Sequence, residues 1–391
     1  MSDIVILSAC RTPIGKFQGA LAGTPAPELG SIAIKAALER SGVAPEQIDE
    51  VIMGNVLSAG IGQAPARQAA LMAGLPPTVA ALTINKVCGS GLKAIMLAAQ
   101  AIRAGDADVV VAGGLESMSR APFLLDRSGP PLGDRQLVDS MLHEGLTCGI
   151  SHHSMGVIAE ALAASSGISR RDQDHLALES HRRAVAAIES GAFDQEIVPV
   201  RLQHRSGERV ITRDEGPRAD TSLERLSALS PAFQKEGTVT AGNASMISDG
   251  AAAVVVASSR FVQEHGLKPM ARIISYATSG LEPQDLFVAP VPAMRAALYK
   301  ARLAIADVDL LEINEAFAAQ VLACVRQLEL PMDRVNVGGG AIALGHPLGA
   351  SGARVAVTLL HALQRRKARF GMASLCLGGG NAVATLFEAI H

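Results

Sequence analysis

The 391-residue sequence has no tryptophan, only two tyrosines and few charges, with Asp, Glu, Lys and Arg together making up 18% of it. Without Trp and Tyr it lacks the aromatic platforms on which nucleic-acid bases stack. Its net charge is −2 and its Lys and Arg are scattered, so no basic surface for a phosphate backbone is written into it either. Long apolar runs are missing too. The opening stretch MSDIVILSACRTP carries an acid at Asp3 and only four apolar residues in a row, so it reads as a first β-strand, not a secretion signal. The most membrane-like stretch, MASLCLGGGNAVATLFEAI, is broken by Gly-Gly-Gly-Asn and contains Glu388, which makes it a buried strand–turn–strand. The five cysteines are an odd number and lie far apart. A disulfide framework is therefore not expected, and the chain reads as a reduced, cytoplasmic protein. No G-x-x-x-x-G-K-[S/T] phosphate loop occurs, which leaves nucleoside-triphosphate hydrolysis without support.

Apolar residues (49%) and glycine (38 residues) are plentiful. That balance, at this length, predicts a compact α/β enzyme of two or three packed units. The order of the units shows in an internal repeat. Residues 36–53, AALERSGVAPEQIDEVIM, align without a gap over 296–313, AALYKARLAIADVDLLEI. Each reads as a helix end, a linker carrying an acid, and a buried strand. At nearly the same spacing, SGLKAIMLAAQAI (90–102) aligns with SGARVAVTLLHAL (351–363), each a small-residue turn opening an amphipathic helix. An apolar strand running into glycines follows both, DADVVVAGG and GMASLCLGGG. Two ordered matches predict a duplicated α/β unit with mostly parallel sheets and helices packed between the halves.

Residues 119–244 differ in character. They include RSGPPLGDRQ, SHHSMG and HRSGERVITRDEGPRAD, and one clear helix opened by Ser169, with Gln173 nearby, and closed by Gly191. Too long for a connection, this stretch is expected to form a subdomain roofing a binding site. The expected division is 1–118 with 245–269 as the N-terminal half, 119–244 as a loop domain, and 270–391 as the C-terminal half.

Cys88, in INKVCGSGLKA, sits where a strand turns into a helix. The unpartnered N–H groups of a helix start favour a thiolate, so its pKa is expected below that of a free thiol. The alternative is a small buried hydrophobe. Cys10 and Cys324 read as packing residues, and Cys148 lies near His152 and His153 without a second ligand pair for zinc. His346, in GGGAIALGHPLGASGAR, precedes the second-half turn that corresponds to the Cys88 turn, and Cys376 ends the strand after it. Ligands of parallel α/β sheets gather at strand carboxyl ends, which makes these three candidates for one crevice. Asn314, in LEINEAFAAQ, either joins them or caps a helix. GSGLKA also fits G-x-G-x-x-A, with Glu116 beyond the next strand, so a dinucleotide site competes for the same turn.

The chain resembles the thiolases, in particular acetyl-CoA C-acetyltransferases and 3-ketoacyl-CoA thiolases. The resemblance runs from SACRTPIGKFQGAL through NKVCGSGLKA, GGLESMSRAP, EGTVTAGNASMISDGAAA and NEAFA to GGAIALGHPLGASGAR and CLGGGNAVA. It implies a duplicated five-layer α-β-α-β-α fold with an inserted loop domain. It also implies that Cys88 accepts the acyl group, that His346 activates Cys88, and that Cys376 moves the α-proton. Asn314 would hold a water that, with His346, stabilises the enolate oxygen. The N–H groups of Cys88 and Gly378 would form a second oxyanion hole. Ser245 and Arg218 would lie along CoA and Met155 against the acyl end. Acetyl-CoA, acetoacetyl-CoA or other 3-ketoacyl-CoA, and free CoA are the implied partners. No separate cofactor or metal, no nucleic acid and no membrane is implied, and the assembly is a homodimer or homotetramer. Two departures stand out: Ser154-Met155-Gly156 replaces a common His-Met-Gly, leaving acyl-chain length open, and Ala382 replaces a glycine. A degradative ketoacyl thiolase and a CoA-binding relative without acyl transfer are the alternatives.

Overall fold

The computed structural model describes residues 3–128, 132–204 and 207–391. Parts of the two Gly/Pro/Arg-rich stretches of the insertion, at 129–131 and 205–206, lie outside them. The first strand, β1, is Ile4–Arg11, and the chain continues through α1 (Ala26–Ser41), β2 (Glu50–Gly54), α2 (Pro65–Met72), β3 (Ala80–Ile84), α3 (Ser90–Ala104) and β4 (Val109–Ser117). The insertion contributes α4 (Met155–Ser165) and α5 (Arg170–Glu189) before β5 (Ser248–Ser258). The second half runs β6 (Ala271–Gly280), α6 (Pro290–Ala301), β7 (Leu310–Ile313), α7 (Ala318–Leu328), α8 (Leu348–Arg366), β8 (Phe370–Leu377) and β9 (Asn381–Ala389). None of the described helices is long and apolar enough to cross a membrane.

The strands line up as β7-β8-β9-β6-β1-β5-β4-β2-β3. The halves meet at β1 and β6, which share only two residue pairs, Val5 with Arg272 and Ile6 with Ala271. Alternation along each strand then sorts side chains into layers. Ile4, Ile6, Val110 and Ala112 face inward onto α3 and α8, together with Leu375 and Phe387 of the second half. Val5, Leu7, Val109 and Val111 face outward onto α1 and α2. Met372, Ala384 and Leu386 face outward onto α6 and α7. The result is five layers, helix–sheet–helix–sheet–helix. The expectation of mostly parallel sheets is corrected. Among the labelled strands of the described residues, only β2–β3, β2–β4 and β7–β8 run parallel. The cause is the return of β5 after the insertion and of β9 after a three-residue turn, each beside and against the strand before it.

The repeat is present to the level of single hydrogen bonds. Helices α1 and α6 each end on a left-handed residue, Gly42 (φ 73°) and Arg302 (φ 55°). The carboxylate of Asp49 accepts the N–H groups of Asp108 and Val109, at 2.7 and 2.9 Å. Asp309 does the same for Arg369 and Phe370, at 2.9 and 2.8 Å. The insertion breaks the symmetry. It leaves from the first half, yet α4 and α5 pack on α7 of the second, where Ala163 and Ile168 meet Ala319 and Ala323. At the start of α5, Ser169 is capped reciprocally by Asp172, not by Gln173, whose amide instead donates to Thr238 Oγ1 at 2.9 Å.

Helices α3 and α8 touch through glycine. A Cβ on Gly91 would stand 2.6 Å from the backbone nitrogen of Ala353, and one on Gly54 would stand 2.7 Å from the carbonyl of Gly349. On helix propensity alone, Gly91→Ala would gain about 1 kcal/mol. Overpacking against backbone instead predicts a net loss of about 1–3 kcal/mol, read as a lower urea midpoint.

Candidate active site

Between β3 and α3 the chain makes a tight turn that presents Cys88. Val87 is held in the left-handed region (φ 47°), which a β-branched residue avoids. Asn85 Oδ1 accepts its N–H at 2.9 Å, and Ser90 Oγ donates to its carbonyl at 2.6 Å while accepting from Lys86 N at 2.8 Å. The backbone N–H groups of Cys88 itself and of Gly378 favour the thiolate of Cys88. One side of the residue keeps solvent contact; the other packs on Val56, Leu57, Met118, Met141 and Leu348. Burial pushes the thiol up to about 12, against the pull of those two N–H groups, and the Glu116 charge adds to the rise. The expected depression is therefore corrected. The helix start and two N–H groups do not outweigh desolvation.

His346 lies in the turn before α8, its N–H donating to Met246 O at 2.9 Å. Ser351 Oγ is 2.5 Å from Nδ1 and donates its own proton to Pro347 O at 2.9 Å. Having spent its proton there, Ser351 accepts from Nδ1–H, which leaves Nε2 as the free lone pair. Burial, and then the Arg354 charge, lower the ring to about 3, so it is neutral at rest. Asn314 follows β7, and its N–H donates to Ser374 O at 3.0 Å. It is not a helix cap: α7 starts at Ala318 with Phe317 in that role. The Asn314 amide nitrogen instead stands 3.5 Å from both ring nitrogens of His346.

Cys376, near the end of β8, is 2% exposed and packs with Met155, Phe287, Phe317 and Cys148. Burial raises its thiol well above the usual range, and the Cys88 and Cys324 thiolates, where charged, would raise it further. Gly378 opens the β8–β9 turn, where Gly379 and Gly380 have φ of 80° and 89°. The site thus combines two protonated thiols, a neutral imidazole and a pair of backbone N–H groups.

The other candidates lie around this centre. Met155 begins α4 and shares the apolar cluster of Cys376. Ser245 donates its N–H to Ala316 O at 3.0 Å and stands between Ala244 and Met246, which line a cavity of about 260 Å³. Arg218, exposed, lines the same cavity with His181 and Ile342. Ser154 caps α4 by accepting from Val157 N at 3.3 Å. The packing readings of Cys10 and Cys324 hold, their thiols donating to Ala33 O and Phe287 O at 3.3 Å each. Cys148 is buried while His152 and His153 are exposed, and no three metal-binding side chains gather among the described residues.

Sequence reasoning missed Ser351, which sets the tautomer of His346, and the role of Glu116. Glu116 accepts Asn55 Nδ2 (2.8 Å), Val56 N (3.0 Å), Leu57 N (3.2 Å) and Gly349 N (2.8 Å). Fully occupied in this way, it cannot hold a ribose, and the space above Gly89 is filled by Leu377 and Val383. The dinucleotide reading of GSGLKA fails on both counts. The serine had a signal, since Ser351 aligns with Ser90, which ties its own turn in the same way.

The description of a thiolase N-terminal domain fits residues 4–260, and that of a thiolase C-terminal domain fits residues 267–389. The chain belongs to the thiolase family. It is 56% identical to an acetyl-CoA acetyltransferase of Cupriavidus necator, across 99% of this chain and 100% of that one. It is 55% identical to one of Escherichia coli over the full length of both. The crystal structure of the Bacillus anthracis acetyl-CoA acetyltransferase superposes with a TM-score of 0.98 at 46% identity, covering 100% of this chain and 99% of that one. The five layers and the two glycine turns are thus the architecture of a thiolase. Because the Cys88 thiol of this thiolase is held high, its thiolate signal, read as the ultraviolet difference between the enzyme and its Cys88→Ala variant, should stay absent up to about pH 9. A thiolate signal already present near neutrality would instead mean a preformed ion pair with His346.

Proposed function

We propose that this thiolase is an acetyl-CoA C-acetyltransferase, joining two acetyl-CoA into acetoacetyl-CoA and CoA and running the same steps backwards as thiolysis. The observation that carries the reading is a neutral His346 whose Nδ1 is held by Ser351, which leaves Nε2 free as a base for the Cys88 thiol. Cys88 gives its proton to Nε2, and the sulfur attacks the thioester carbonyl. The oxyanion so formed is held by the N–H groups of Cys88 and Gly378. CoA leaves, taking the proton of Cys376, and acetyl-Cys88 remains. The Cys376 thiolate, which the apolar surroundings make a strong base, removes an α-proton from the second acetyl-CoA. The enolate oxygen is stabilised by the His346 Nε2–H and by Asn314 through a water. Attack on acetyl-Cys88 gives acetoacetyl-CoA, and the Cys88 thiolate recovers its proton from His346. Every step is met by these side chains, and CoA thioesters serve as substrates.

CoA lies along the cavity bordered by Arg218 and Ser245, under a roof formed by the 119–244 insertion, with Met155 at the acyl end. One observation favours the second reading, a ketoacyl thiolase of broader chain length. Ser154 turns its hydroxyl to the α4 backbone and presents no imidazole toward the acyl end. The exposed edge strand β3, with Leu82 beside Leu71 and Met72 of α2, supports a second copy of the chain as its cover, giving a homodimer or, through the insertion, a homotetramer. We place the enzyme in the cytoplasm, within fatty acid and acetyl-CoA metabolism.

Mixing the enzyme with 3-ketoacyl-CoAs of increasing length, quenching and mapping by mass should find acyl groups on Cys88, with acetyl dominant. Dominant longer acyl groups would select the second reading. Cys88→Ser should lower turnover roughly 10³-fold or more while CoA still binds. For the assembly, Leu82→Lys should shift sedimentation toward the monomer, and an unchanged profile would move the interface elsewhere.

A further inference from the structure

Behind His346 and Asn314 lies a buried charge pair that none of the steps above uses. Arg354, on α8, is fully enclosed. The guanidinium has few partners. Nη2 donates to Asn314 Oδ1 at 3.5 Å, and Nη1 is 3.9 Å from Glu312 Oε2. Nε and Nη1 have no hydrogen-bond partner, and neither does Glu312 Oε1. Burial pushes Glu312 up to about 8, so it offsets the cation only in part near neutral pH. An enclosed arginine so sparsely paired costs stability compared with an apolar residue of its size. Its neighbours Val355, Ala356 and Val357 show that the layer accepts apolar side chains. A local rule broken without structural gain points to the adjacent site.

We propose that Arg354 is a positioning residue that fixes which way round the Asn314 amide stands. A guanidinium only donates, so Oδ1 must face it and Nδ2 must face His346. Without that donor the amide can turn over at little steric cost. An acceptor would then look toward the place of the enolate oxygen, where a donor is needed. The other charges around Arg354 do not do this work. Glu315 is bound to Ser180, Asn336 and the N–H of Ile342, and Arg11 is bound to Glu196 and Asp214. Glu196 also accepts from Thr358. The inference rests on the role given to Asn314 above.

The test separates two half-reactions. Acetylation of Cys88, followed by mass after rapid quenching, uses the N–H groups of Cys88 and Gly378. Exchange of the acetyl-CoA α-hydrogens with deuterated water needs the enolate. Arg354→Met, and the double variant Arg354→Met with Glu312→Leu that leaves no lone buried carboxylate, should lose α-exchange by about 10²-fold or more. Acetylation should stay within about threefold, and Arg354→Lys, still a donor, should recover most of the exchange. Asn314→Ala should lose exchange to a similar extent, with little further loss when combined with Arg354→Met. If the folded double variant exchanges normally while Asn314→Ala does not, the proposal is wrong and the role of Asn314 stands. Normal exchange in Asn314→Ala overturns both. Equal loss of acetylation and exchange in the Arg354 variants would make Arg354 a general structural residue and also overturn the proposal.

Discussion

The close approach of α3 and α8 is the constraint on which the rest of this enzyme depends. Gly91 of α3 lies against the backbone of Ala353, Gly352 of α8 against that of Leu92, and Gly349 against Asn55, Leu115 and Glu116. No side chain larger than hydrogen fits at these points, so two helix starts from different halves come to within backbone contact. The Cys88 turn opens one helix and the His346 turn opens the other. The buried carboxylate of Glu116 ties the arrangement together, joining the end of β4 to the loop after β2 and to the start of α8. Packing and catalysis are thus one geometric problem here, solved by removing side chains.

Electrostatics at the site follow from the same burial. A layer that excludes water raises thiols and lowers imidazoles, and the structure keeps both neutral. In the proposed mechanism, charge is created only when a thioester is present to receive it. Cys148 shows the opposite balance nearby. Burial raises it, yet backbone N–H groups, that of Ser151 at 3.4 Å among them, bring it below the usual range.

Much of this was legible in the sequence. The alignment of 36–53 with 296–313 anticipated matching helix ends, linkers and strands, because the same turn chemistry is written in both copies. The glycine-framed positions of Cys88, His346 and Cys376 marked them for the same reason. What stayed hidden depends on partners far apart in the chain. Strand direction could not be read from apolar patterning, which is the same for parallel and antiparallel neighbours once both faces are buried. Glu116 looked like a ligand-binding acid because its four donors come from residues 55–57 and 349. The pKa of Cys88 was misjudged because a helix start is visible in a sequence, whereas the depth of the pocket around it is not.

The two halves share their middle layer, and that has a consequence for how such a chain could arise. Neither half alone covers its inner sheet face: α3 and α8 each bury apolar surface from both sheets. A single ancestral half would have had to associate with a copy of itself about the same axis, with identical turns meeting at the centre. Joining the copies in one chain released them from that identity. One turn could keep a thiol while the other took an imidazole, and one inter-strand connection could grow into a substrate roof while its counterpart remained the three residues Gly378–Gly380.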